Sequence, residues 1–213
     1  SDEIKWADKA LPSSLQPFRT MPKPIWSSKL GDPQDPGVST YTGCDLSVGP
    51  KVQLDTSGCT STPVINPDGT IYIVEGISGS PPMSPGIIGI SPEGNIFSVP
   101  YPEISGTPAL VDYMMYIAVQ RGQLAAYDSR TFEMKWMNKV CGACGQDAWS
   151  IAASESFIIL PGILAEPKDW SVLPPSDHAF AVDAQSGKVK WNFKPAAMLT
   201  NFTASIVGDV VVF

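Results

Sequence analysis

Short runs of β-branched and aromatic residues recur along the chain, each set off by turn residues: Thr70-Ile71-Tyr72-Ile73-Val74, Met115-Tyr116-Ile117-Ala118-Val119, Phe157-Ile158-Ile159-Leu160 and Val210-Val211-Val212-Phe213. Such runs predict β-strands. A second short strand motif precedes each one. Ser61-Thr62-Pro63-Val64-Ile65 returns as Gly106-Thr107-Pro108-Ala109-Leu110, a spacing of 45 residues from Pro63 to Pro108. It returns more loosely as Trp149-Ser150-Ile151-Ala152-Ala153 and as Phe202-Thr203-Ala204-Ser205-Ile206. A fixed period of this size predicts a repeat architecture. Inner strands are expected near Pro63 to Ile65, Pro108 to Val111, Ser150 to Ala153 and Ala204 to Val207.

The second half of each unit adds a hairpin. Ala181-Val182-Asp183-Ala184-Gln185-Ser186-Gly187-Lys188-Val189-Lys190-Trp191 reads as strand, tight turn and strand. An Asp accepts backbone N–H bonds inside such a turn, and a Gly four residues on supplies the left-handed conformation that closes it. The frame occurs 55 residues earlier as Ala126-Tyr127-Asp128 through Trp136, with Phe132 where Gly is expected, and in shortened form as Gly89-Ile90-Ser91-Pro92-Glu93-Gly94-Asn95-Ile96. Three units and the opening of a fourth are visible. Asp128 and Asp183 occupy equivalent turns, which argues for hairpin roles over a catalytic carboxylate pair, and Trp136 and Trp191 read as packing residues.

Composition agrees with this reading. Of 213 residues, 43% are hydrophobic, enough for a packed core, while 18 glycines and 21 prolines make 39 turn-favouring positions. Charged residues are only 16%, against a usual ~25%. That balance disfavours a helical bundle, whose surface needs Ala, Glu, Lys and Leu. The formal net charge is −7, and no run of Lys or Arg forms a phosphate-tracking stripe, so neither nucleic acid nor an anionic membrane surface is expected as partner. No apolar stretch approaches the ~20 residues of a membrane-spanning helix. The chain begins Ser-Asp-Glu without Met, which is read as a processed, trimmed or simply unresolved end.

The pattern Ala-x-Asp-x-x-x-Gly-Lys-x-x-Trp, with its Ser/Thr-Pro-Ala/Val strand and a Pro67-Asp68-Gly69 turn, resembles the repeat of the pyrroloquinoline-quinone-like (quinoprotein-like) β-propellers. Gly31-Asp32-Pro33-Gln34-Asp35-Pro36-Gly37-Val38-Ser39-Thr40-Tyr41-Thr42-Gly43, followed by Gly49-Pro50-Lys51-Val52, resembles the entry segment of bacterial-type members. The resemblance covers roughly residues 31 to 213. It implies an all-β chain of four-stranded antiparallel blades, with the Trp of each turn wedged between neighbours. Only three to four blades are visible, an incomplete ring where four to eight close a propeller. The expected organisation is an extended Pro-rich arm over 1–43 and a partial propeller over 44–213. Its units fall at about 58–102, 103–140, 141–196 and 197–213, with an insertion at 161–177. Lys51 to Leu54 would supply an outer strand of the last blade.

Four cysteines carry the sharpest chemical question. Cys44 and Cys59 flank the presumed fastening strand, and Cys141-Gly142-Ala143-Cys144 is a Cys-x-x-Cys. Two structural disulfides, Cys44 with Cys59 and Cys141 with Cys144, are the favoured pairing. Unpaired buried thiols, a metal site or redox work are the competing readings, the last two lacking a second ligand pair and a βαβ context. Quinoprotein dehydrogenases typically cover their cofactor with a disulfide between adjacent cysteines, hold calcium with acidic and amide side chains and use a carboxylate base. This chain has no adjacent Cys pair, so no cofactor is expected, with pyrroloquinoline quinone and calcium as the alternative. His178, the single histidine, reads as a strand-edge residue. Asn201-Phe202-Thr203 satisfies the glycosylation pattern, which arises about once by chance in such a composition. Among Trp6, Trp26, Trp149 and Trp170, any exposed one is a contact candidate.

The functional expectation is a non-catalytic quinoprotein-like propeller, a binding or assembly module in an extracytoplasmic compartment. Its partner would be another protein or the remaining blades. The alternatives are a fragment of a quinone-dependent alcohol or sugar dehydrogenase and a structural subunit of a larger extracellular or luminal assembly.

Overall fold

A computed structural model of the chain describes residues 61–75, 86–100, 104, 106–119, 121–144, 151–170, 175–196, 199, 204–207 and 210–212. The first sheet consists of β1 (Val64–Ile65), β2 (Ile71–Glu75), β3 (Gly86–Ile90) and β4 (Ile96–Pro100) in sequential order. The second repeats that order with β5 (Ala109–Val111), β6 (Met114–Val119), β7 (Gln123–Asp128) and β8 (Met134–Lys139). After the short β9 (Ala143–Cys144), the third sheet runs β10 (Ala152–Ala153), β11 (Phe157–Ile163), β12 (His178–Asp183) and β13 (Val189–Phe193), with β9 joined to β11. A two-stranded sheet of β14 (Ser205–Val207) and β15 (Val210–Val212) follows. Every pairing is antiparallel. The described residues contain no helix, hence none long and apolar enough to cross a membrane. The described sheets do not close into a ring.

The apolar runs are nearly continuous because both faces of the middle sheets are covered. On β6, Met115, Ile117 and Val119 pack with Val64, Tyr72, Val74 and Ile87 of the first sheet. The intervening Tyr116 and Ala118 pack with Cys144, Ile158, Leu160 and Phe180 of the third. Successive strand residues point to opposite faces, so one run of six serves two interfaces. A third layer, Ala152, Ile159, Ala179 and Ala181 with Leu199, Ala204 and Ile206, joins the third sheet to β14–β15.

The hairpins expected across Asp128 and Asp183 form, and both carry a bulge at the same repeat position, Ala126/Tyr127 and Ala181/Val182. One boundary differs. β11 continues through Pro161, Gly162 and Ile163, so the connection between β11 and β12 spans 164–177 rather than starting at 161. The reason is that Pro161 and Gly162 pair with Ala179 and His178 on β12, while Gly162 and Ile163 pair with Cys144 and Ala143 on β9. The arm, Lys51 to Leu54, Cys44, Cys59 and Asn201 lie outside the described residues, as do Trp6, Trp26 and Trp149.

Candidate functional site

The antiparallel order sorts the connections to two ends of the sheets. At one end are the tight turns. Asp183 O accepts from Gly187 N (2.9 Å) and Asp183 N donates to Lys188 O (2.8 Å); Asp128 makes the same pair with Phe132 N (2.7 Å) and Glu133 O (3.0 Å). Gly187 has φ +68°. Phe132 adopts the same left-handed conformation, φ +56°, without being glycine.

The Asp side chains complete these turns. Asp183 Oδ1 accepts from Ser186 N (2.9 Å), Ser186 Oγ (2.9 Å) and Gln185 N (3.2 Å). The backbone bond from Ser186, then its hydroxyl and Lys190, hold the Asp183 carboxyl at a pKa of about 2. Asp128 accepts from Arg130 N (3.0 Å), Nε (3.1 Å) and Nη2 (2.7 Å), and this pairing lowers its pKa too. Both carboxylates are thus committed to their own hairpins.

Neighbouring sheets meet over the same turns. Trp136 Nε1 donates to Ala184 O at 3.2 Å, and Asn138 Nδ2 donates to Ser186 O at 3.0 Å. A Cβ on Gly187 would stand 2.5 Å from Trp136 Cε3, so the indole occupies the space glycine leaves. Where the turn carries Phe132, the facing residue is Phe97, with ring centroids 6.2 Å apart and Tyr72 set edge-on to both. Large faces small, and medium faces medium. The resemblance did not extend to two residues that share this contact. Tyr72 donates its hydroxyl to Ser129 O at 2.8 Å and Tyr116 to Ala184 O at 3.4 Å. The two carbonyls are equivalent, each belonging to the residue after the turn Asp. Asn66, Ser129 and Tyr72 form a buried polar group, with Ser129 Oγ donating to Asn66 Oδ1 at 3.0 Å. Burial pushes the Tyr72 hydroxyl well up and raises that of Tyr116 to about 12. The visible signal was a tyrosine in the second strand of each of the first two units.

The opposite end holds the rest of the candidate chemistry. Cys141 and Cys144 are joined by a disulfide, with Cα atoms 6.2 Å apart. Their loop is anchored at both sides. Val140 N and Cys141 N donate to Gly122 O (2.8 and 3.2 Å), and Gly142 N donates to Ile163 O (2.7 Å). Lys139 pairs with Glu166 across the same junction. A side chain on Gly122 or Gly142 would collide with backbone, Cys141 O and Ala165 respectively. The β6–β7 turn, the disulfide loop and the start of the 164–177 connection therefore converge.

Gly162 carries the row further, pairing with Cys144 on one side and His178 on the other. His178 is buried and its Nδ1 lies 2.6 Å from Asp177 Oδ1, while Lys194 Nζ is 3.4 Å from Asp177 Oδ2. The bond to His178, reinforced by Lys194 against a burial penalty, lowers the Asp177 pKa. Ser176 is fully buried, and its Oγ has no hydrogen-bond partner among the described residues. Trp170 is half-buried. Among the described residues no three His, Cys, Asp or Glu side chains gather into a metal-binding group. Asp128 and Asp183 sit at the far ends of β7 and β12 from this cluster.

The arrangement of sheets finds counterparts in solved structures. The chain is similar to a europium-containing methanol dehydrogenase, with 11% identity, TM-score 0.52, and 86% of this chain and 34% of that one covered. It is similar to a quinohemoprotein alcohol dehydrogenase from Pseudomonas putida, at 14% identity and TM-score 0.57 over 87% of this chain and 28% of that one. The third is the quinohemoprotein alcohol dehydrogenase from Comamonas testosteroni, at 17% identity and TM-score 0.56 over 84% and 28%. The fold is a quinoprotein-like propeller. The chain spans about a third or less of the length of these structures. No protein-family profile and no curated protein matches it.

Proposed function

We propose that this chain supplies blades to the propeller of a quinone-dependent dehydrogenase acting on alcohols or sugars. The likeness to a methanol dehydrogenase and two quinohemoprotein alcohol dehydrogenases over at least 84% of the chain supports this reading. The groups the chain offers to a quinone are at the disulfide end: the Cys141–Cys144 ring, the Ser176 hydroxyl, unpartnered among the described residues, and Lys194 beside the Asp177–His178 pair. A buried hydroxyl without a partner is costly unless something else meets it, and a polar ligand or water at this end would do so. A quinone, when bound, accepts the two electrons removed from the substrate. Among the described residues no three His, Cys, Asp or Glu side chains gather where they could hold calcium, and no step is assigned to a metal. A structural disulfide supports an extracytoplasmic setting.

A second reading, a non-catalytic binding or assembly module, is favoured by the exposed apolar side chains of β13, Val189, Trp191 and Phe193. Absorbance of the native purified protein, together with dye reduction by a panel of alcohols and sugars with and without calcium, separates the two. Quinone absorbance with substrate-dependent dye reduction is the expected result. A quinone-free protein that binds none and reduces no dye would sink the dehydrogenase reading and leave the module.

A further inference from the structure

The Cys141–Cys144 ring adds little constraint that its loop does not already have. A cross-link over residues so close in sequence restricts the unfolded chain less than a longer loop would. The loop is meanwhile held by Val140 N and Cys141 N on Gly122 O and by Gly142 N on Ile163 O. The β9–β11 ladder adds the pairs Cys144 with Gly162 and Ala143 with Ile163. These backbone bonds keep the two cysteines side by side, with Cα atoms 6.2 Å apart, a separation that a disulfide spans. An opened pair is therefore placed to close again.

The packing, by contrast, does register whether the sulfurs are joined. Cys144 is 1% and Cys141 7% exposed, and both belong to the apolar cluster of Leu124, Ile158, Leu160 and Phe180. A Cβ on Gly162 would stand 3.1 Å from both Cys144 Cβ and Phe180 Cε2, and one on Gly142 only 2.2 Å from Ala165 O. Two thiol sulfurs sit farther apart than two bonded ones, and the loop has no slack to absorb the difference. What can yield is the segment laid against Gly142. Residues 164–166 are exposed, and Glu166 is tied to Lys139 by a surface ion pair, which holds weakly.

We propose that Cys141–Cys144 is a thiol-exchange switch: a dithiol reductant opens it, and residues 164–166 come away from the disulfide loop while the sheets stay folded. A thiolate of the dithiol attacks Sγ of Cys141, the less buried cysteine. The bond to Cys144 Sγ breaks, and Cys144 leaves as a thiolate that takes up a proton. The second sulfur of the dithiol then attacks the first within the mixed disulfide and releases Cys141, which takes up the other proton. Two electrons and two protons reach the protein, and the dithiol departs as a cyclic disulfide. The movement extends to β12, because Asp177 N donates to Gly162 O (3.2 Å), next to the Ile163 carbonyl that holds Gly142. This inference stands on the packing of the loop and is independent of the quinone reading.

The test titrates the native purified protein with dithiothreitol, counts thiols at Cys141 and Cys144 by alkylation and peptide mapping, and follows amide exchange. Opening should occur without denaturant. Exchange at Gly142 and Asp177 should rise by roughly tenfold or more, that at Gly187 in the distant turn should stay unchanged, and oxidised dithiothreitol should restore the starting state. A disulfide that opens only in denaturant, that opens with no change at Gly142 and Asp177, or that opens with loss of protection throughout the sheets would overturn the proposal. The double variant Cys141→Ser with Cys144→Ser should exchange like the reduced protein, and dithiothreitol should change nothing further in it. A further change would place the effect at Cys44 and Cys59 and overturn the proposal as well. Should that variant not fold, Cys44→Ser with Cys59→Ser takes its place: the response to dithiothreitol must persist there, and its loss refutes the switch.

Discussion

Gly187 and Phe132 occupy the same place in equivalent turns and both adopt positive φ, yet they are not interchangeable. A left-handed conformation costs a residue with a Cβ roughly 1–2 kcal/mol. Phe132 offsets that cost by packing edge-on against Tyr72 and Phe97. At Gly187 the neighbouring space belongs to Trp136. Gly187→Ala therefore incurs the backbone cost and also displaces the indole from Ala184 O. It should destabilise by about 2 kcal/mol or more, read from the urea midpoint. A loss below about 0.5 kcal/mol would mean that the turn relaxes freely.

The hairpin is the element with the clearest pH signature. The Asp183 carboxyl ionises at about 2 in the folded chain against 3.8 unperturbed. A depressed carboxylate stabilises the fold above its unfolded pKa, and that contribution is lost as pH falls through the folded value, because the unfolded chain binds the proton first. Acid should erode the β12–β13 hairpin between about pH 4 and pH 2. Asp183→Asn should flatten that limb of the stability curve, while leaving the decline due to Asp128 in place. A curve unchanged in slope over this range would show that the Ser186 and Lys190 contacts do not persist in solution. The disulfide loop is a different kind of element, since Gly122 and Ile163 hold it from two separate hairpins. It ties the second sheet to the third at the end away from these turns.

Across the molecule, the tyrosines connect one sheet to the next with unequal strength. Tyr72→Phe leaves Ser129 O without its donor and Asn66 without the Tyr72 hydroxyl, all at a buried site. Unpaired buried polar groups cost about 1–3 kcal/mol. Tyr116→Phe removes a longer bond, and Ala184 O keeps the Trp136 donor. The first substitution should therefore cost at least twice as much as the second in the urea midpoint at constant m. Equal losses would contradict the redundancy at Ala184.

Strand runs and turns were legible in the sequence because they depend on local chemistry. Asp183 and Gly187 announce their hairpin by side-chain oxygen and left-handed φ, and Trp136 announces the outer strand by its repeat spacing. The pairing of Cys141 with Cys144 was likewise within reach of four consecutive residues. The contacts of Tyr72 and Tyr116 were not, for a strand tyrosine is equally at home in a core or on a surface until the next sheet arrives with a carbonyl. The meeting of the disulfide loop with Gly122, Gly162, His178 and the 164–177 connection was hidden for the same reason. These residues are far apart along the chain, and only the antiparallel order of the sheets brings their ends together. Local turn chemistry and period-two alternation determined the blades; the stacking of one blade on another decided which polar groups are satisfied and which end carries the candidate site.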